Sequence, residues 1–411
     1  MTRIRYVVES GRMGMRRNDV DREWPFLVAA YAFVITMCGT TLPTPLYSLY
    51  QREFGFSSLM VTVIFAVYAM GVIAALLLFG HVSDFIGRRP VLLAALVLSA
   101  ASAVCFLLAD GLPQLFTGRV LSGLSAGLAT GAATVTVIEL APPHRRSGVT
   151  LLATAANLGG LGLGPLLAGV LAQYAPAPLR LVFVVDLALV AVAAAGVLAL
   201  PETVRMRHRP PLRPQRMRVP REMRSTFTAA AMAGFAGFAT LGLFTSVSPT
   251  FLSEVEGERD HAVAGAVVFS VFAASIAGQT LGRRLGPEWS LPGGCAVLVA
   301  GMAAIAASLA TASLALLVLG AVVAGAGQGL SFHAAVRVVT GSSPADRRAE
   351  VTSALFVLMY LAISIPVIGV GALSVAVGLR PAGLVFTGCV ALLAAATLLR
   401  LRLRPAGPSD G

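Results

Sequence analysis

Gly80-His81-Val82-Ser83-Asp84-Phe85-Ile86-Gly87-Arg88-Arg89-Pro90 is the one place in the first half of the sequence where charge is packed tightly between two long apolar runs. Gly80 and Asp84 stand four apart and share one face of a helix end. Gly87 can leave a helix through positive φ at little cost. Arg88 and Arg89 follow at once, where cations complement the negative end of the preceding helix and reach back to Asp84. Pro90 suits the first turn of a new helix. The stretch predicts a tight, charged hairpin between two membrane helices. The plainer alternative is an ordinary loop made basic by membrane topology.

Working outward, apolar runs of the same kind recur along the whole chain. Of 411 residues, 57% are hydrophobic and only 12% are charged. Soluble domains carry about 25% charged residues, so this chain could not solvate its own surface. About 20 apolar residues cross a bilayer core. Twelve spans are predicted, at 26–50, 58–80, 90–109, 113–138, 148–173, 180–200, 227–252, 262–282, 291–312, 314–339, 351–375 and 382–402. The boundary between the ninth and tenth, around Ala310-Thr311-Ala312-Ser313, is the least marked. The expected class is an all-α membrane protein. Its organisation reads as a tail at 1–25, a six-helix half at 26–203, a basic linker at 204–225, a second six-helix half at 226–402 and a tail at 403–411.

The net charge is +12, and all 31 basic residues are arginines. A basic balance can signal nucleic acid, but the placement here argues against that partner. Six arginines precede the first span, and eight lie between Arg205 and Arg224. Arg88, Arg89, Arg145, Arg146, Arg283, Arg284, Arg337, Arg347, Arg348, Arg400, Arg402 and Arg404 fall in loops and a tail on the same side. Arg52, Arg180, Arg259 and Arg380 fall on the other side, and Arg119 lies inside a span. The positive-inside rule then predicts a multi-pass protein of the cell (inner, cytoplasmic) membrane with both termini in the cytoplasm. The opposite loop at 253–261 is acidic through Glu254, Glu256, Glu258 and Asp260. Residues 1–24 lack an apolar core segment, so they read as a cytoplasmic tail and not as a cleavable signal, with Met13 or Met15 as alternative starts. Cys38, Cys105, Cys295 and Cys389 sit far apart in apolar spans, so no disulfide framework, metal site or cofactor is expected.

The hairpin resembles the loop 2–3 signature of the major facilitator superfamily of secondary transporters, G-x-x-x-D-x-x-G-R-R/K, through Gly80, Asp84, Gly87, Arg88 and Arg89. The resemblance implies two six-helix halves related by a parallel repeat and a substrate site between them. Glu139 and Arg146 resemble the E-x6-R pair at the cytoplasmic end of span 4 in this superfamily. The implied role is a charge cluster with Asp84 and Arg88 that latches the loop shut and can break and re-form. Arg119, Gly123 and Gly127 resemble the R-x-x-x-G-x-x-x-G motif of proton-coupled members, where the arginine is implicated in proton transfer. Gly123 and Gly127 predict close helix contact. A cation inside a span is costly unless it meets water or a partner, and snorkelling to the outer surface is the alternative. Gly160, Gly164, Pro165 and Gly169 resemble the G-x-x-x-G-P-x-x-G-G motif of drug:proton antiporters, with Ala168 in place of one glycine. Generic packing of a kinked membrane helix is the alternative. Asp186 is a candidate proton carrier, or else a headgroup-level residue paired with Arg180. Pro201-Glu202-Thr203 resembles the P-E-T/S ending of the first half.

The second half repeats the first. Gly325, Gly329, Pro344, Arg347 and Arg348 match Gly123, Gly127, Pro142, Arg145 and Arg146 at one constant spacing. Gly282-Arg283-Arg284-Leu285-Gly286 is a degraded echo of the hairpin without its acid, and Ala321 stands at the counterpart of Arg119. Coupling chemistry is therefore expected in the first half. In the superfamily fold, spans 1, 4, 7 and 10 line the central cavity. Polar candidates there are Tyr31, Thr36, Thr240, Thr245, Gln328 and His333, with Asn157, Gln279 and Tyr360 from flanking spans. For each hydroxyl the alternative is a bond back to its own helix. Spans 1, 7 and 10 carry no acid, which favours neutral or anionic, partly apolar cargo.

An enzyme is not expected, because no Ser/His pair or paired acids stand at a membrane face. A nucleotide-driven pump would need G-x-x-x-x-G-K-S/T, and the chain contains no lysine. The expectation is a secondary active transporter working as a monomer in the lipid bilayer, with protons and a small-molecule substrate as its partners. Proton-coupled antiport that exports drugs or metabolites is the main reading, and proton-coupled uptake of a sugar or organic acid is the alternative.

Overall fold

The structure is a computed structural model that describes residues 23–80, 82–146, 148–204, 218–254, 260–344 and 347–403. Within these residues stand twelve helices long and apolar enough to cross a membrane. They are α1 Glu23–Phe54, α2 Ser58–Phe79, α3 Arg88–Leu107, α4 Leu112–Glu139, α5 Val149–Tyr174, α6 Pro178–Ala199, α7 Arg221–Ser246, α8 His261–Arg284, α9 Pro287–Thr311, α10 Leu314–Ser342, α11 Glu350–Val377 and α12 Leu379–Arg402. The expected N-terminal tail up to residue 22, the linker residues 205–217, Glu256 and Glu258 of the acidic loop, and Arg404 onward lie outside the described residues.

Local chemistry sets where the helices stop. Gly87 turns the chain at φ 109°, a conformation open to glycine, and α3 starts at the next residue. Ala312 takes the left-handed conformation between α9 and α10, and the Ser313 side chain then caps α10 by accepting from the Leu316 N–H. Asp260 caps α8, accepting from the N–H groups of Ala262 and Val263. The prolines of α1 give a 3-10 turn at Thr44–Leu46, after which helix resumes over Tyr47–Phe54. The seventh helix differs from the expected 227–252. It begins at Arg221 behind Pro220 and ends at Ser246, and Ser248–Glu254 is a separate short helix. The hydroxyls of Thr245 and Ser246 bond back to the carbonyls of Leu241 and Gly242, which loosens that end of the helix.

The sequence repeat is also a repeat of contacts. In the first half α4 packs on α2 so closely that a Cβ on Gly123 would strike the Tyr68 carbonyl, and one on Gly127 would lie 3.0 Å from the Val72 carbonyl oxygen. In the second half α10 packs on α8 in the same register, with Gly325 against the Val271 carbonyl and Gly329 against that of Ser275. Small residues let two backbones meet this way in lipid, where there is no hydrophobic drive between helices. Large apolar side chains such as Met70, Val97 and Leu392 point outward around this bundle, as a lipid-facing surface requires.

The two halves touch on one face and part on the other. Gly169 meets the backbone of His261 and Ala262, Gly265 meets the Pro165 carbonyl, and Gly371 meets the Thr62 side chain. All these residues lie toward the ends of their helices remote from the α2–α3 hairpin. On the hairpin side, which carries most of the described arginines and is called the basic face below, the halves separate around a central cavity.

Candidate functional site

At the hairpin, Arg88 is the hub. Its guanidinium is buried, and it donates through Nη1 to Asp84 Oδ1 and, at 2.7 Å, to Ser83 Oγ, and through Nη2 to Glu139 Oε1 at 3.3 Å. Glu202 supplies what the hairpin itself lacks. Its carboxylate accepts from the N–H groups of Arg88 and Arg89 at 2.9 and 3.1 Å, so it caps α3 from the far end of the first half. A Cβ on Gly87 would run into that carboxylate. Thr203 completes the ring by donating to Glu139 Oε2 at 2.6 Å. The cluster thus joins the ends of α2, α3, α4 and α6. Among the described residues no group of the second half enters it, and Asp84 is half exposed. Gly80 closes α2 and is exposed, and Arg89 contributes only its backbone N–H. Arg146 is exposed and outside the cluster. The side chains of that loop that do pair are His144 and Arg145, which meet Glu23.

Arg119 is fully buried in α4 and does not snorkel. It donates through Nε to the Tyr47 hydroxyl and through Nη1 to the Thr40 carbonyl at 2.6 Å. Its guanidinium carbon lies 5.2 Å from the ring centre of Tyr47 and 5.6 Å from those of Phe65 and Tyr68. The cation is therefore held by dipoles and ring faces. Among the described residues it has no carboxylate partner, and Nη2 has no hydrogen bond. Asp186 is 2% exposed and forms no ion pair with Arg180, so it does not sit at headgroup level. Its carboxyl lies against Gly39 and near Ser99, with Oδ1 unpartnered. Arg119 and Asp186 thus abut the neighbouring residues Thr40 and Gly39 of α1 without pairing.

Between the halves lies a cavity of about 430 Å³. Of the polar candidates, Asn157, Thr245, Gln279, His333 and Tyr360 line it. The other four do not. Thr36 and Thr240 bond back to the carbonyls of Ala32 and Ala236. Tyr31 donates to the Leu189 carbonyl and holds α1 on α6. Gln328 accepts from Ser275 and ties α10 to α8. Gln279 Nε2 and His333 Nε2 have no hydrogen-bond partner among the described residues.

Several lining residues escaped the sequence reading. Phe238, Phe332 and Phe356 form an aromatic group, with ring centres 5.2 and 6.2 Å apart. Nothing in their spacing separates them from ordinary core aromatics. Thr130 with Thr134, and Thr150 with Thr154, also line the wall, and their helical four-residue spacing was a usable signal. Arg337 and Thr150 are exposed at the basic face, so the cavity reaches that surface. Among the described residues no Asp or Glu lines it.

A family model, Major Facilitator Superfamily, matches residues 29–365. The protein named "Putative multidrug resistance protein MdtD" from Salmonella typhi is 29% identical over 153 residues, which is 37% of this chain and 32% of that protein. Its namesake from Klebsiella pneumoniae (strain 342) is 28% identical over 152 residues, with the same coverage of 37% and 32%. The chain thus spans about a third of the length of the curated relatives it matches. Among solved structures, a bacterial homologue of the human lysosomal transporter Spinster, inward-facing and unoccupied, matches with TM-score 0.71 at 18% identity, over 94% of this chain and 99% of that one. A D-xylose-proton symporter matches with TM-score 0.72 at 16% identity, over 92% and 97%. At these identities the likeness is one of fold.

Proposed function

Because the chain belongs to the major facilitator superfamily of secondary transporters, we propose that it exports small, partly apolar organic compounds across the cytoplasmic membrane in exchange for protons, acting as a monomer. The observation that carries this reading is the cavity: closed by the seam of the two halves on one face, reaching the surface on the other, and lined by phenylalanines, threonines and unpaired donors without a carboxylate. Taking the basic face as cytoplasmic by charge bias, this state is inward-facing and offers the site to cytoplasmic cargo. Strong cations would find no counter-charge there. Export requires the seam to open and the basic face to close. The half-exposure of the Asp84 carboxylate supports its engaging the second half when it does. Asp186, buried beside Gly39, is the candidate carrier of the proton, and Arg119 takes part in coupling from the adjacent Thr40 of α1. Export rather than uptake is supported by the Gly160-to-Gly169 motif, whose Pro165 and Gly169 meet α8 in the seam while Gly160 and Gly164 pack on α1, and by the naming of the partly matched relatives.

The test is a panel of neutral and anionic lipophilic compounds in cells expressing the protein. Expression is expected to lower the accumulation of some of them, and a protonophore is expected to abolish the difference. No protonophore-sensitive difference for any compound would remove proton-driven export. Raised accumulation would indicate uptake.

A further inference from the structure

The second half holds a hollow apart from the transport path. Its volume is about 540 Å³, and it shares no lining residue with the central cavity. It lies among the first turns of α7 and α9 and the last turns of α10 and α12, at the depth where the basic face meets the membrane surface. Its walls are small or apolar, including Ala229, Pro292, Gly293 and Ala296. A Cβ built on Gly293 would meet only a Leu330 methyl, at 3.7 Å, so nothing fills that side of α9. The corresponding corner of the first half is built differently. There Phe26, Val91 and Leu200 pack in one core, and Glu202 caps α3.

The rim has a definite chemistry. Trp289 is 71% exposed beside the hollow, and Arg402 lines it with no ion pair among the described residues. The one acid, Glu288, folds back over the start of its own helix, where a Cβ on Gly286 would collide with its carboxylate. In that position it complements the positive end of α9 and leaves the charge of Arg402 unmatched. An apolar trough, an indole at interface depth and an unpaired guanidinium at the lip are complementary to an amphiphile with a negative head. The volume also lies within the roughly 300–1,000 Å³ typical of small-ligand sites. We propose that this hollow binds one anionic phospholipid from the leaflet at the basic face, with an acyl chain along α9 and its phosphate on Arg402.

The chain has two tryptophans, so Trp24→Phe leaves Trp289 as the single reporter. The full-length variant is placed in nanodiscs, and Trp289 fluorescence is followed against the mole fraction of bromine-labelled phosphatidylglycerol or phosphatidylcholine. Phosphatidylglycerol is expected to quench at mole fractions about fivefold lower, the worth of one interfacial arginine. Arg402→Gln, a change at the rim that leaves the core intact, is expected to erase that preference, and Glu288→Gln to enlarge it. Equal quenching by the two lipids overturns the proposal, as does a preference that survives Arg402→Gln. Absence of quenching by either lipid also overturns it and points to cover by residues 404–411, which follow α12 directly.

Discussion

Gly169→Ala tests the seam that makes the cavity one-sided. A Cβ at this position would collide with the carbonyl oxygen of His261 and lie 3.1 Å from its carbon and 3.3 Å from the Ala262 Cα. Every one of these atoms is backbone of the other half, so no rotamer change relieves the clash. Overpacking of this kind costs about 1–3 kcal/mol, and only the state in which the seam is closed bears the cost. A differential of that size shifts the balance between the two states by a factor of about 5 to 150. Gly159→Ala in the same helix is the matched control, because a Cβ there meets nothing within 4 Å. The assay places a single cysteine at Asn157, inside the cavity, after replacement of the four native cysteines. Labelling by a membrane-impermeant reagent from the basic face is then timed. The rate is expected to fall in Gly169→Ala, by up to about 150-fold where the closed-seam state is the minor one, and to hold in Gly159→Ala. Equal rates in all three proteins would show that the contact does not bias the states.

Three further outcomes are expected. Arg119→Ala should abolish substrate-triggered proton flux in proteoliposomes under a pH gradient, while Arg119→Lys keeps part of it; normal flux in the alanine variant would reduce this residue to a packing element. Glu202→Ala removes an acceptor for two helix-terminal N–H groups and should cost about 1–2 kcal/mol in the unfolding of purified protein, with Gln recovering part because it keeps one acceptor oxygen; unchanged stability would refute the capping role. Asp84→Asn should slow transport while leaving expression normal, and a full transport rate would rule out its part in closing the basic face.

The sequence was most legible where local chemistry is strong. Gly87 had to turn the chain and apolar length had to produce spans, whereas the caps at Ser313 and Asp260 went unread. The spacing of Gly123, Gly127, Gly325 and Gly329 announced the repeat, since only glycine permits those carbonyl contacts. Helix rotation was the illegible part. In lipid the outward face of a helix is as apolar as its buried face, so periodicity does not say which way a side chain points. That is why Gln328 and Tyr31 read as cavity residues but bind neighbouring helices, and why Phe332 and Phe356 went unnoticed. Glu202 was visible only as part of a weak ending motif, because its partners Arg88 and Arg89 are more than a hundred residues away. Asp186 sits only six positions from Arg180, yet it faces Gly39 and Ser99 in the interior, a depth that packing decides and sequence distance does not.

The way Arg119 is held has an electrical consequence. Its charge is offset by a hydroxyl, a carbonyl and three aromatic rings, and by no anion among the described residues. Dipoles and quadrupoles soften the self-energy of a cation but do not cancel its net charge. Any rearrangement that carries Arg119 through part of the transmembrane field therefore moves a gating charge. Each tenth of the field it crosses contributes about 0.2 kcal/mol per 100 mV. Where the two orientations of the empty transporter hold Arg119 at different depths in the field, the membrane potential weights them before any cargo has bound.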